Sequence, residues 1–212
     1  MNRRKFIKNT IITSAVVAAS AITGFSISDK NMENKKMKIL VITGSPRKNG
    51  NSNTLADNFI KGAEEKGHSV VRFDSAFKNV HPCIACNKCG MNGDCVFNDD
   101  FNFIKENIVN SDMVVFATPM YYFGISAQIK AVIDRFYSIN GKIHTPKKAA
   151  LFLTYADNSK IKEQPIKNHY EVLLDYLGWT SVGEIIAPGV WTEGSINNTQ
   201  YPKMAYELGK SL

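Results

Sequence analysis

Several signatures are missing from this chain. It contains no G-x-G-x-x-G, and no G-x-x-x-x-G-K-[ST], because Gly44 and Gly50 are six apart and Asn51 follows. Both absences disfavour a dinucleotide or NTP site built on a glycine loop. No G-x-S-x-G or Ser-His-Asp pattern occurs, so hydrolysis has no support. His68, His81, His144 and His169 are scattered and form no metal-spaced pair. There is no internal repeat and no low-complexity tract. Acidic residues are absent from residues 1–21, which carry Arg3, Arg4, Lys5 and Lys8 and so hold +4 of the formal +7. Residues 22–36 add +1, which leaves +2 for the rest. A nucleic-acid footprint needs basic charge clustered on a folded surface, and a nearly balanced domain excludes that partner.

What is present is a chain of 212 residues, 44% hydrophobic and 21% charged, the composition of a folded protein with one domain and a tail. Residues 2–8 are basic, residues 9–28 are uncharged, and Ala19-Ser20-Ala21 offers a small-residue exit, the parts of a secretory signal. Eight of the twenty uncharged residues are Asn, Thr or Ser, which weakens the alternative of a permanent membrane anchor. Arg3-Arg4 followed by Lys5-Phe6-Ile7-Lys8 resembles a twin-arginine signal. That resemblance implies export of the folded protein across the cytoplasmic membrane, to the periplasmic or cell-surface side, with cofactors already inserted. Membrane contact would then be through the leader only. Residues 22–36 read as a linker and 37–212 as the domain.

Within that domain, short apolar runs at 38–43, 69–74, 113–117, 149–154 and 180–187 predict strands. Helical periodicity predicts helices at 53–66, 100–111, 125–137, 166–177 and 201–210. This alternation predicts an α/β fold, a doubly wound five-stranded parallel sheet of flavodoxin-like order 2-1-3-4-5. Ligands of such sheets sit beyond the carboxyl ends of the strands, where the order reverses between strands 1 and 3.

The loop after the first strand, Gly44 to Thr54, reads GSPRKNGNSNT. A helix N-terminus offers free N–H groups and a positive dipole end, and hydroxyls and cations beside it suit a phosphate. The alternative is a polar loop with Ser52 or Asn53 as an ordinary cap. The loop after the third strand carries Tyr121, Tyr122 and Phe123 in a row behind Met120, and the three aromatics offer flat apolar faces that suit a planar ring or a neighbouring helix or subunit.

These two loops resemble those of the NADPH-dependent FMN reductase group of the flavodoxin superfamily. The resemblance implies that Ser45, Arg47, Asn51, Ser52, Asn53 and Thr54 cradle an FMN phosphate. Pro119, Met120, Tyr121, Tyr122 and Phe123 would line its ring. Asp134 and Arg135, inside a helix, read as structural.

All four cysteines fall within 83–95, as Cys83, Cys86, Cys89 and Cys95, spaced C-x2-C-x2-C-x5-C. Such short steps let one loop surround a [4Fe–4S] cluster. A four-thiolate zinc site and disulfides are the alternatives. The spacing resembles the compact motif of iron-sulfur flavoproteins. That resemblance implies a homo-oligomer in which the cluster of one subunit lies near the flavin of another.

The chain therefore reads as an exported FMN oxidoreductase that moves electrons between a small-molecule or protein donor and acceptor, NAD(P)H among the candidate donors. A cluster-free NAD(P)H-dependent FMN or quinone reductase is the alternative, and a flavin electron carrier without turnover is another. Since the cofactors carry such chemistry, no protein acid or base is assigned as catalytic.

Overall fold

The computed structural model describes residues 35–212. The leader at 1–21 and most of the linker lie outside the described residues. Among the described residues, no helix is long and apolar enough to cross a membrane.

The first strand, β1 (Lys38–Thr43), is buried throughout except at Lys38. Its side chains alternate between two cores, Leu40 and Ile42 entering one and Ile39 and Val41 the other. Two further strands, β3 (Met113–Pro119) and β4 (Lys148–Thr154), divide in the same way. Val114, Phe116, Leu151 and Leu153 face the first core, whereas Val115, Ala117, Ala150 and Phe152 face the second. A strand covered on both faces needs apolar residues at every position, so these segments are continuous rather than alternating.

The edge strands are β2 (Ser69–Asp74) and β5 (Thr180–Ala187). All pairings are parallel, in the order β2-β1-β3-β4-β5, as expected from the sequence. β3 runs two residues beyond its expected end. Thr118 and Pro119 stay in register with Leu153 and Thr154 after β1 has stopped at Thr43. Pro119 thus has a neighbouring strand on one side only, a setting that tolerates its missing N–H.

The first core lies under α2 (Phe101–Val109), α3 (Ala127–Arg135) and α5 (Gln164–Leu177), with the short α4 (Asn140–Ile143) beside them. The second lies under α1 (Asn51–Glu65) and α6 (Tyr201–Lys210). The latter two helices touch through glycine. A methyl group on Gly62 would fall 2.1 Å from the Tyr206 carbonyl oxygen, and one on Gly209 would fall 2.2 Å from that of Phe59. Only hydrogen at both positions lets the backbones approach this closely.

Candidate functional site

At the carboxyl edge of the sheet, a cleft open to solvent lies among the loops after β1, β3, β4 and β5. Of the residues expected to bind a ligand, Ser45, Arg47, Asn51, Ser52, Pro119, Met120, Tyr121 and Tyr122 line it. Asn53, Thr54 and Phe123 do not.

The loop after β1 prepares an anion site. Gly50 is the N-cap of α1, and no side chain caps the helix. The expectation of Ser52 or Asn53 as cap is therefore corrected, since both lie inside the first turn. Thr54 N donates to Gly50 O at 3.0 Å, closing the first helical turn. The N–H groups ahead of it have no helical carbonyl to reach. Ser52 Oγ is buried and has no hydrogen-bond partner, a vacancy that native interiors rarely leave without a reason. Ser45 Oγ accepts from Arg47 N and donates to Arg47 O, both at 3.2 Å, folding the loop over the helix end.

Asn53 braces this loop from beneath, donating to Arg47 O at 2.9 Å and Lys48 O at 3.1 Å. Thr54 Oγ1 is turned back to Gly50 O at 3.4 Å. Asn51 lies at the cleft, but its amide is occupied elsewhere. Nδ2 donates to Val190 O, Thr192 O and Ser195 Oγ, and Oδ1 accepts from Ile196 N. These three asparagine and threonine side chains shape the site.

The loop after β3 closes on itself. Tyr121 and Gly124 exchange two backbone hydrogen bonds of 3.0 Å, and the residues between them, Tyr122 and Phe123, have φ of 45° and 64°. Such turns normally use Asn or Gly, and each left-handed bulky residue costs about 1–2 kcal/mol. The turn sends Tyr122, which is 100% exposed, to the rim of the cleft, and carries Phe123 away from it. Met120 N anchors the loop on Thr154 O at 2.9 Å.

The far wall consists of residues to which the sequence analysis assigned no role: Thr154, Tyr155 and Ala156 after β4, and Val190 and Trp191 after β5. Tyr155 is buried and donates to Glu163 at 2.6 Å. Burial first, and then the Glu163 carboxylate, push its hydroxyl above the ordinary tyrosine range. Trp191 is 74% exposed. For the segment after β5, a tryptophan, one of two in the chain, is a signal that could have marked it.

A second cavity lies in the loop between β2 and α2. Cys83, Cys86, Cys89 and Cys95 all line it, together with Ile84, Val96, Phe97, Arg135 and Tyr137. The four are free cysteines. Ala85, Asn87, Gly90 and Met91 between them have φ of 51–68°, and such left-handed steps curl a backbone into the nests found at anion and iron–sulfur sites. Ala85 N donates to Cys83 Sγ at 3.4 Å. The loop is docked on the segment after α3. Tyr137 Oη donates to Asn87, and the Asn140 and Gly141 N–H groups donate to Met91 O and Asn92. Among the described residues, no three His, Cys, Asp or Glu side chains gather closely enough to hold a single metal ion.

A model of the NADPH-dependent FMN reductase family matches residues 37–189. The chain belongs to that family. Like other members of the NADPH-dependent FMN reductase family, it is an FMN-dependent oxidoreductase with an electron donor and an acceptor. An iron-sulfur flavoprotein of Archaeoglobus fulgidus is 31% identical over 180 residues, covering 83% of this chain and 79% of the relative. Another, from Methanocaldococcus jannaschii, is 35% identical over 99 residues, 47% of this chain and about half, 51%, of its own length. In fold, the chain is similar to an NAD(P)H:quinone oxidoreductase from Methanothermobacter marburgensis, with a TM-score of 0.68 and 16% identity over 83% of this chain and 96% of that one.

Proposed function

We propose that this FMN reductase family member is an exported iron–sulfur flavoprotein that passes electrons between a reduced donor, FMN and a [4Fe–4S] cluster. The observation that carries this reading is the meeting of all four cysteines around one cavity, in a chain 31% identical to an iron-sulfur flavoprotein. A [4Fe–4S] cluster spreads its four thiolates over four metals around one shared space, and a four-thiolate zinc site is the alternative that metal analysis separates from it. The left-handed loop and its N–H···S bond add the donors that such a centre uses.

FMN fits the cleft on the chain's own terms. Its phosphate would be held by the uncapped helix end, the orphaned Ser52 hydroxyl, Ser45 and the Arg47 guanidinium. Its ring would be held by the cleft residues Pro119 to Tyr122 and Thr154 to Ala156. Bound FMN supplies two-electron acceptance and one-electron release. The protein's part is to hold phosphate and ring and to keep water from one face. The cleft and the cysteine cavity share no wall residue; a homo-oligomer in which electrons cross between subunits is part of the proposal and rests on the resemblance of the cysteine spacing to that of iron-sulfur flavoproteins. Export by the twin-arginine route is part of the proposal and rests on the resemblance of the Arg3-Arg4 segment to such a signal.

Anaerobic purification with iron, acid-labile sulfide and FMN analysis tests the reading. About four iron and four sulfide per chain is the expected result. Protein with FMN but no iron after reconstitution would overturn the cluster. The separateness of the two cavities favours one second reading, a cluster-free NAD(P)H-dependent quinone reductase working from the cleft alone. NAD(P)H oxidation with quinone that survives replacement of Cys83 and Cys86 by Ser would favour it.

A further inference from the structure

One buried guanidinium holds both ends of the cysteine loop. Arg135, the last residue of α3, has a side chain 1% exposed. Its Nη1 donates to His81 O at 2.9 Å and its Nη2 to Phe97 O at 3.3 Å. His81 lies two residues before Cys83, and Phe97 two residues after Cys95. Their rings stack with centroids 4.7 Å apart, so the two ends also meet directly. Asp99, with a side chain 3% exposed, pairs with Arg135 at 2.8 Å. The same carboxylate accepts His81 N at 3.0 Å and Phe101 N at 3.1 Å. The rings of Phe97 and Phe101 lie 5.3 and 4.8 Å from the guanidinium carbon.

The pair is not symmetric about the cavity. Arg135 is a wall residue of the four-cysteine cavity and Asp99 is not, so the positive end of the pair is the one nearer the sulfurs. Moreover, Arg135 Nε is buried and has no acceptor in the protein. Guanidinium nitrogens in interiors are ordinarily matched to acceptors. Here two of the three nitrogens are committed to closing the loop, and the third is left over.

We propose that Arg135 is a positioning residue that locks the cysteine loop shut and sets its buried positive charge beside the negatively charged centre that the thiolates hold. The electrostatic half rests on the cluster reading of the previous subsection, while the locking half does not. A positive charge beside the centre favours its reduced form, so removing it lowers the midpoint potential.

Two variants of the full-length chain test this. Arg135→Lys keeps the charge but loses the fork. Arg135→Gln combined with Asp99→Asn removes the pair together and leaves no unpaired buried charge. In metal-free, FMN-loaded protein, backbone hydrogen exchange across residues 83–95 is expected to quicken at least tenfold in both variants, with β1 and β3 unchanged. In reconstituted protein, a redox titration of the iron signal is expected to give a lower midpoint potential for the neutral pair than for the wild type. Unchanged exchange across 83–95, or faster exchange everywhere, would overturn the lock. An unchanged potential would overturn the electrostatic role. If the wild type takes up no iron, the cluster reading and the electrostatic role fail together, while the exchange result still decides the lock.

Discussion

The side-chain amide of Asn51 donates to the Thr192 carbonyl at 2.9 Å, joining the first turn of α1 to a loop 141 residues away. With its further bonds to Val190 O and Ile196 N, it fixes the segment that carries Trp191 to the wall of the cleft. Replacing Asn51 with Ala orphans two buried backbone groups, Val190 O and Ile196 N, each costing about 1–3 kcal/mol. The expected outcome is a lowered melting temperature together with faster proteolysis within residues 188–196. An Asn51→Ala protein that keeps wild-type melting and cleavage would contradict this role.

Ser52 makes a sharper test of the phosphate site. Its hydroxyl has no protein partner to lose, so Ser52→Ala should leave folding nearly unchanged. A hydrogen bond to a charged group contributes about 1.5–3 kcal/mol, which corresponds to a loss of roughly ten- to hundredfold in FMN affinity. Riboflavin, which lacks the phosphate, should bind both proteins equally. Fluorescence titration with the two flavins measures the difference, and an equal loss for both would place the phosphate elsewhere.

The Tyr122–Phe123 turn predicts a gain. At Phe123, glycine removes a left-handed steric cost of about 1–2 kcal/mol and adds an entropic one of about 0.5–1 kcal/mol. Phe123→Gly should therefore stabilise the domain by up to roughly 1.5 kcal/mol with FMN affinity unchanged, because Phe123 does not line the cleft. Thermal melting and flavin titration on one preparation decide both halves. A drop in affinity would mean that this ring serves the site after all.

His68 makes stability pH-dependent. It is buried, and its Nδ1 accepts the Met37 N–H at 3.2 Å at the entry to β1. Burial first, then Lys148 and Lys66, hold its pKa below the ordinary 6.5. The unfolded chain therefore takes up the proton before the folded one. The contribution is complete above pH 6.5 and falls away as pH drops below it toward the lowered folded value. Melting temperature should decline from pH 7.5 to 5.5, and the decline should shrink in His68→Gln. Equal slopes for the two proteins would refute the assignment.

The strands and their order were legible because continuous apolar runs such as 38–43 and 113–117 have one stable home, a sheet covered on both faces. The two glycine- and aromatic-rich loops were legible from their composition, and the cysteine cavity from its spacing. The details misread have physical reasons. Asn53 looked like a candidate helix cap, but it lies inside the first turn of α1 and its Nδ2 braces Arg47 and Lys48 from beneath. Phe123 looked equivalent to Tyr122 until a tight turn sent the two in different directions. Trp191 joins the cleft only through long-range topology, since the loop after β5 crosses to the end of α1. Arg135 read as an ordinary structural residue within a helix, because nothing local shows that its carbonyl partners lie 38 and 54 positions away.

The glycine seam between α1 and α6 has a consequence for tolerance to change. A side chain at Gly62 or Gly209 would meet backbone atoms rather than a movable side chain, so the two helices would have to part to admit it. Because α1 carries the proposed phosphate loop at its amino end, a change at Gly209, far from Gly50 in sequence, would reach the cleft through the body of one helix.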